Sequence, residues 1–320
     1  MTFYQIAKNT LRESLREPIF YLLLLSALII IGFSPMVALF VFREQIKLVA
    51  DTGLSTTLVF GLLCSVLCAG HTVTREMKNG TVLLLLSKPV SRTSFIFAKI
   101  AGIMAAMAVF VLSCEAAILI AIRVASDQFE LNYKLFSLYF VLIGLGSLYG
   151  AIRNYLNARA FSSSASFAIL ALIVSATVIL YSMPRVPEMA DENEIMLSMI
   201  VPIFLLLMFA IWIMVALTVA LSTRLEMVAN LTVVSIIFLC GLISDYFFGS
   251  AANTFSLSAF LYAILPNWQL FWLVDSLASR RIIPLTYIIL AGAYSAACVS
   301  FLSFIALALF RQKEAGSNTK

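Results

Sequence analysis

Thr74 to Lys99 reads TREMKNGTVLLLLSKPVSRTSFIFAK and lies between two long apolar runs, Leu54–Val73 and Ile100–Ile122. Five cationic side chains, Arg75, Lys78, Lys88, Arg92 and Lys99, stand against one carboxylate, Glu76. A basic connector between two apolar spans marks the cytoplasmic side of a membrane. Thr74 is a cap residue for a helix beginning at Arg75, with Glu76 in the first turn, where the positive end of the helix dipole favours it. Gly80 loosens the middle of that helix, and Pro89 moves Lys88 out of helical space, so the helix should stop near Ser87. Ser91 then caps a second helix, Val90 and Phe95 are spaced as its hydrophobic staple, and this helix runs straight into the next span. The pattern predicts a short cytoplasmic helix lying across a bundle and held at both ends by transmembrane helices.

Composition agrees with a membrane setting. The chain has 320 residues, of which 62% are hydrophobic and 12% charged, and its mean hydropathy is +1.03. Apolar runs of about 20 residues recur along it, each long enough to cross a ~30 Å hydrocarbon layer as a helix. We expect an all-α polytopic membrane protein with about eight transmembrane helices, near residues 19–42, 54–73, 99–122, 135–152, 161–183, 199–221, 227–248 and 284–310. Residues 1–18 form an N-terminal interfacial helix, residues 19–310 the transmembrane domain and residues 311–320 a polar tail. In the first of these, Phe3, Ile6, Ala7, Leu11 and Leu15 make one apolar stripe, while Lys8, Arg12, Glu13 and Arg16 cover the other side. There is no signal peptide pattern, because a charged stretch precedes an apolar run too long for an h-region.

Charge fixes the expected orientation. With the N-terminus inside and eight spans alternating, fourteen of the 21 cationic residues fall inside and seven outside. Both termini are therefore placed in the cytoplasm. The net charge of +5 belongs to one set of connectors and does not point to nucleic acid. The connectors Arg43–Asp51 and Pro184–Glu194 fall outside, the latter the most acidic. In residues 250–283, Leu257–Leu265 and Trp268–Leu277 are each too short to cross, and Pro266 and Asn267 separate them. They read as two short helices, re-entrant or lying in the outer interface, with Trp268 and Trp272 at headgroup level. Gly146/Gly150, Gly102/Ala106, Ala101/Ala105 and Gly292/Ala296 have the small-xxx-small spacing of helix contacts, within a chain or between chains.

Three elements in order resemble a known family: Glu76-Met-Lys-Asn-Gly80-Thr81, Leu-Leu-Ser87-Lys88-Pro89-Val90-Ser91-Arg92, and Phe97-Ala98-Lys99. They look like the cytoplasmic signature of type-2 ABC exporter permeases, roughly E-x-x-x-G-T, L-L-S-x-P-[VI]-S-R and a Lys at the following span. The match covers about 25 residues; elsewhere the likeness is architectural. The resemblance implies that residues 74–98 are a coupling segment docking on a separate ATPase, with Arg75, Glu76, Lys78, Gly80, Thr81, Ser87, Pro89, Ser91 and Arg92 as contact residues. It further implies a second permease copy or a related permease, surrounding membrane lipid, and a bacterial cytoplasmic membrane. ATP and Mg would lie on the partner, with no cofactor in this chain. It suggests an outer gate at Pro266, Asn267 and Trp268; an aromatic belt without gating is the other reading. Many members have six spans where this sequence has eight.

Other chemistry is poorly represented. No G-x-x-x-x-G-K-[ST], H-E-x-x-H or G-x-S-x-G occurs, and there is one His, so the chain is not read as an enzyme. Cys64, Cys68 and His71 share a helix face, which supplies poor tetrahedral geometry for a metal. The five cysteines fall within spans and read as small packing residues rather than disulfides. Glu115 lies inside the third span, where an ionised group costs ~2.5–3.5 kcal/mol on insertion scales. It either lines a path or is buried as a structural hydrogen-bonding or protonated group. The rivals to an exporter permease are an ATP-independent secondary transporter or channel, and a membrane scaffold or assembly factor.

Overall fold

The computed structural model describes residues 3–41, 44–75, 91–125, 130–182, 190–244, 246, 265–279 and 281–317. Among the described residues ten α-helices follow one another: α1 (Phe3–Arg16), α2 (Pro18–Ala38), α3 (Gln45–Ala69), α4 (Arg92–Val124), α5 (Tyr133–Asn157), α6 (Phe161–Ser182), α7 (Ala190–Ser222), α8 (Met227–Ser244), the single turn α9 (Asp275–Ala278) and α10 (Leu285–Ser317). A 3-10 turn, Trp268–Phe271, precedes α9. Eight of these helices are long and apolar enough to cross a membrane. The chain is an all-α integral membrane protein.

Local sequence explains most of the boundaries. Pro18 begins α2 at a first-turn position, where its missing N–H costs nothing. The Ser91 hydroxyl accepts the Ser94 amide at 3.2 Å and starts α4 as expected, and Asn132 caps α5 in the same way through Leu135. The α5–α6 turn passes through Ala158 at φ 49°, a left-handed conformation that costs roughly 1–2 kcal/mol for a residue with a Cβ. Asn154 Nδ2 braces this turn by donating to the Arg159 carbonyl at 2.7 Å.

Three stretches read as connectors are partly helix. The second span begins at Gln45, so most of Arg43–Asp51 is its first turns. Helix α7 begins at Ala190, inside the acidic stretch. Helix α10 continues through Ser317, past the expected start of the polar tail. In each case polar residues extend an apolar helix beyond the length that hydropathy alone assigns.

Burial separates a centre from a rim. The apolar windows of α3, α4 and α7 are 67%, 72% and 72% buried, against 22–28% for α5, α6, α8 and α10. Helix α2 packs on α3 and α4; α5 and α6 pair on one flank, and α10 and α8 lie against α7 on the other. Lipid tails give no hydrophobic drive for helices to associate, so close backbone approach and buried hydrogen bonds must hold them. Gly146 and Gly150 belong to the intrachain α5–α6 seam, where an added Cβ would lie 2.6 Å from Ile169 Cγ1 and from Ala165 Cβ respectively. The Tyr139 hydroxyl donates to the Leu28 carbonyl at 2.6 Å, and Thr177 Oγ1 donates to the Ala116 carbonyl at 3.1 Å. Such bonds average ~0.6 kcal/mol in membranes.

The helix ends sort into two groups. One end collects α1, the end of α3, the start of α4, the α5–α6 turn and the α7–α8 turn, joined by Ser162 to Leu15 and Glu17, and by Thr74 to Ser222. The opposite end holds the start of α3 and α9, linked by Lys47–Asp275 at 3.0 Å, and the Trp268 turn.

Candidate functional site: the coupling joint and the opposite end

Of the residues assigned to coupling, Arg75, Ser91 and Arg92 fall within the described residues, where they form the two roots of the segment. Glu76, Lys78, Gly80, Thr81, Ser87 and Pro89 lie outside the described residues, as does the short helix expected there. Val90, one half of the expected staple, lies outside them too.

The first root differs from the expected one. Thr74 does not cap a new helix. The second span carries on past Ala69 as a π-helical turn, Gly70–Thr74, and Arg75 is still helical, its amide donating to the Gly70 carbonyl. Tertiary contact outweighs the cap propensity: Thr74 Oγ1 donates to the Ser222 carbonyl at 3.2 Å, at the end of α7. Gly70 faces Met227, with an added Cβ only 3.2 Å from its Cγ. A π turn is a wide, locally strained ring that recurs at functional positions. Beside it, Arg75, His71 and Glu226 help to line a cleft of about 320 Å³ between the end of α3 and the start of α8.

Lys99 joins this turn to the rest of the molecule. It lies at the foot of the third apolar run, and its side chain is 3% exposed. Its Nζ donates to the Thr72 carbonyl of the π turn at 3.2 Å and lies 3.5 Å from the Glu13 carboxylate of α1. It also stands over the Phe95 ring, which packs against Phe310 of α10. A buried cation must have such partners, because an unpaired one is expensive to keep out of water. His71 repeats the link at a second point, with Nδ1 3.6 Å from the Glu17 carboxylate. In the sequence Lys99 reads as part of a motif and not as a hub. The available signal was a lone Lys at the foot of an apolar run, opposite an amphipathic helix carrying Glu13.

Helix α1 lies on protein with most of the predicted stripe, Ile6, Ala7, Leu11 and Leu15, packed inward, and the contact face also takes in Thr10 and Ser14. Ile6, Thr10, Ser14 and Leu15 are buried, while Phe3 is exposed. At Gly102 an added Cβ would stand 2.6 Å from both the Ala7 carbonyl and Thr10 Cβ. Close approach selects small side chains where the backbones meet, so Thr10 and Ser14 are buried beside Ile6 and Leu15.

At the opposite end, Trp268–Leu277 is not one helix but a 3-10 turn followed by a single α turn. Residues 257–264, the other short helix expected here, lie outside the described residues. Asn267 caps the 3-10 turn through Gln269 at 3.0 Å, and its amide donates to the Tyr294 hydroxyl at 3.2 Å. Trp268 is 2% exposed, packed on Phe238 and over Gly241. It is therefore a buried wedge and not a headgroup anchor, whereas Trp272 is half-buried. Trp268, Trp272, Phe238 and Leu58 help to line an apolar cavity of about 630 Å³.

Glu115 is 6% exposed, and its Oε1 has no hydrogen-bond partner. It is placed within α4 and lines neither the cleft beside the π turn nor the apolar cavity at Trp268. Cys64 and Cys68 are buried in α3, and all five cysteines are free, but Cys240 is exposed on α8 and so is not an interior packing residue. Among the described residues no group of three His, Cys, Asp or Glu gathers as a metal site.

Eight helices long and apolar enough to cross a membrane, with an amphipathic N-terminal helix packed at one end, define a polytopic membrane protein. The chain belongs to the ABC-2 family of transporter proteins, whose family model matches residues 3–185, more than half of its 320 residues. It is thus a transmembrane subunit of an ABC transporter, and membership implies partnership with an ABC ATPase. No curated protein and no solved structure matches it.

Proposed function

We propose that this chain forms the translocation pathway of an ATP-driven exporter and couples to a separately encoded ATPase through residues 74–98. The observation that carries this reading is the joint around Lys99. Whatever moves the roots at Arg75 and Ser91 moves the π turn, α1 and α4 together, because one buried cation holds all three. ATP and Mg bind on the partner, and a second permease, identical or related, completes the path. Both termini face the cytoplasm of a bacterial inner membrane. The ATPase shifts the equilibrium between inward- and outward-open arrangements only by as much as its affinity differs between them. The segment around Pro266, Asn267 and Trp268 is the gate at the far end.

A pull-down from detergent tests the coupling. Wild type is expected to bring down an ATPase, and a variant carrying Glu76→Ala and Gly80→Pro to lose it while eluting as a folded species. Absence of any ATPase from wild type would refute the reading in favour of a secondary transporter or scaffold.

Glu115 is proposed to line the path in the assembled transporter. In a background with the five native cysteines replaced, Glu115→Cys should react with a small water-soluble maleimide in the ATPase complex, and faster when a non-hydrolysable ATP analogue is bound. A thiol that stays inert in every nucleotide state would make Glu115 a structural group instead.

A further inference from the structure

A second cavity, of about 940 Å³, opens at the same end as the coupling joint, between α1, α5 and α6. Four arginines line it: Arg12 and Arg16 from α1, Arg153 from α5, and Arg159 from the α5–α6 turn. Among the described residues no carboxylate does. The two acidic groups nearest in sequence to Arg12 and Arg16 are engaged elsewhere, Glu13 with Lys99 and Glu17 with His71. The Nε atom of Arg153 is buried and makes no hydrogen bond. An unbonded guanidinium nitrogen in a site with no counter-charge is an open donor awaiting an acceptor.

The site is built rather than incidental. Behind the lining, Ser162 donates to the Leu15 and Glu17 carbonyls at 2.8 and 2.9 Å, which ties the end of α1 to the start of α6. The first turn of α6 supplies Ser163 and Ser164 to the lining, and the 22-residue helix that begins there adds the positive end of its dipole. The other half of the cavity is apolar. Leu145, Phe167, Ala171 and Leu172 form a wall that runs away from the arginines along α5 and α6. Leu145 precedes Arg153 by eight residues of α5, about 12 Å along the axis at 1.5 Å per residue. A polyanionic head fits the arginine end, and a hydrocarbon chain fits the wall beyond it.

We propose that this groove holds an anionic phospholipid of the host bilayer, its phosphate between Arg12, Arg16, Arg153 and Arg159 and an acyl chain along the α5–α6 wall. Charge complementarity selects the head, and the wall continuous with the apolar span surface selects a lipid over a soluble phosphate. Because the arginines come both from α1 and from the α5–α6 pair, the lipid also bridges these elements.

Native mass spectrometry of the detergent-purified full chain, titrated with phosphatidylglycerol or phosphatidylcholine of matched chains, tests this. Phosphatidylglycerol should be retained over phosphatidylcholine by about tenfold or more, since each basic residue near a membrane surface adds about a factor of five to anionic attraction. The preference should vanish in Arg12→Gln with Arg153→Gln and persist in Arg281→Gln, which removes the same kind of charge at the opposite end. Ala171→Trp, an exposed position on the wall, should fill the chain groove and lower retention with the arginines intact, so the proposal stays testable if the double variant melts early. Equal retention of the two lipids would overturn it, as would a preference that survives the double substitution. Complete displacement by millimolar glycerol 3-phosphate, with Ala171→Trp silent, would also overturn it by showing a soluble-phosphate site.

Discussion

Replacing Lys99 with Met is expected to undock the N-terminal helix. The substitution keeps the length and packing of the aliphatic stem but removes the charge that Glu13 and the Thr72 carbonyl share. Breaking a buried pair by deleting one partner costs about 3–5 kcal/mol when the survivor is fully buried. Glu13 retains a third of its side-chain exposure, so water relieves part of that cost and about 2 kcal/mol is the expected loss. Glu13→Gln should cost at least as much, because it takes the Glu13 charge from a Lys99 ammonium that is 3% exposed and to which the Thr72 carbonyl is only a neutral acceptor. The double variant should then be milder than the sum of the two, and that non-additivity in thermal melts measures the pair. Undocking has its own signature. Lys8 and Arg12 lie on the exposed face of α1, and trypsin should clip an N-terminal tag from Lys99→Met far faster than from wild type. An unchanged clipping rate together with an unchanged melting temperature would show that Lys99 does not hold α1 in place. In the complex with an ATPase, the same substitution should leave the partner bound yet blunt its effect on α1.

The second large effect is expected at the opposite end. At Gly241 an added Cβ would overlap the Pro266 carbonyl and stand 2.5 Å from Trp268 Cδ1. One of these obstacles is backbone, so no rotamer change relieves it. Gly241→Val should therefore destabilise by about 1–3 kcal/mol, the usual range for overpacking, or push the 3-10 turn off α8. Displacement exposes Trp268, and the tryptophan emission should move to the red; in Trp268→Phe that part of the shift should disappear. Unperturbed emission and melting in Gly241→Val would show that the turn is not seated on α8. If the segment is the gate, the same variant biases it open, because the closed packing is the one that the added methyl groups forbid.

Much of the fold was legible because a bilayer makes the problem nearly one-dimensional. A spanning helix must satisfy its backbone internally and keep charge off its length, so the eight runs, the basic connectors and the family likeness around Glu76–Lys99 could be read directly. Caps also came through where local chemistry met no competition, as at Ser91. The candidate site was legible in part. Its motif was plain, but the hub at Lys99 was not, because Glu13, Thr72 and Lys99 lie on three elements that only folding brings together.

By itself, the sequence determined that this is a multi-span helical membrane protein of the ABC-2 family and which of its connectors are basic. The tertiary structure alone decided that α3, α4 and α7 form the centre, that Thr10 and Ser14 rather than Phe3 face inward from α1, that Thr74 ends a π turn instead of starting a helix, and that Trp268 is buried. In each case the outcome depends on a tertiary neighbour, and for the spanning helices the bilayer is the reason. When most sides of a helix are apolar, lipid and protein are nearly equivalent neighbours for its side chains, so periodicity no longer says which face is inside. Small residues, close backbone approach and a few buried polar contacts make that choice, and each of these depends on a partner distant in the chain.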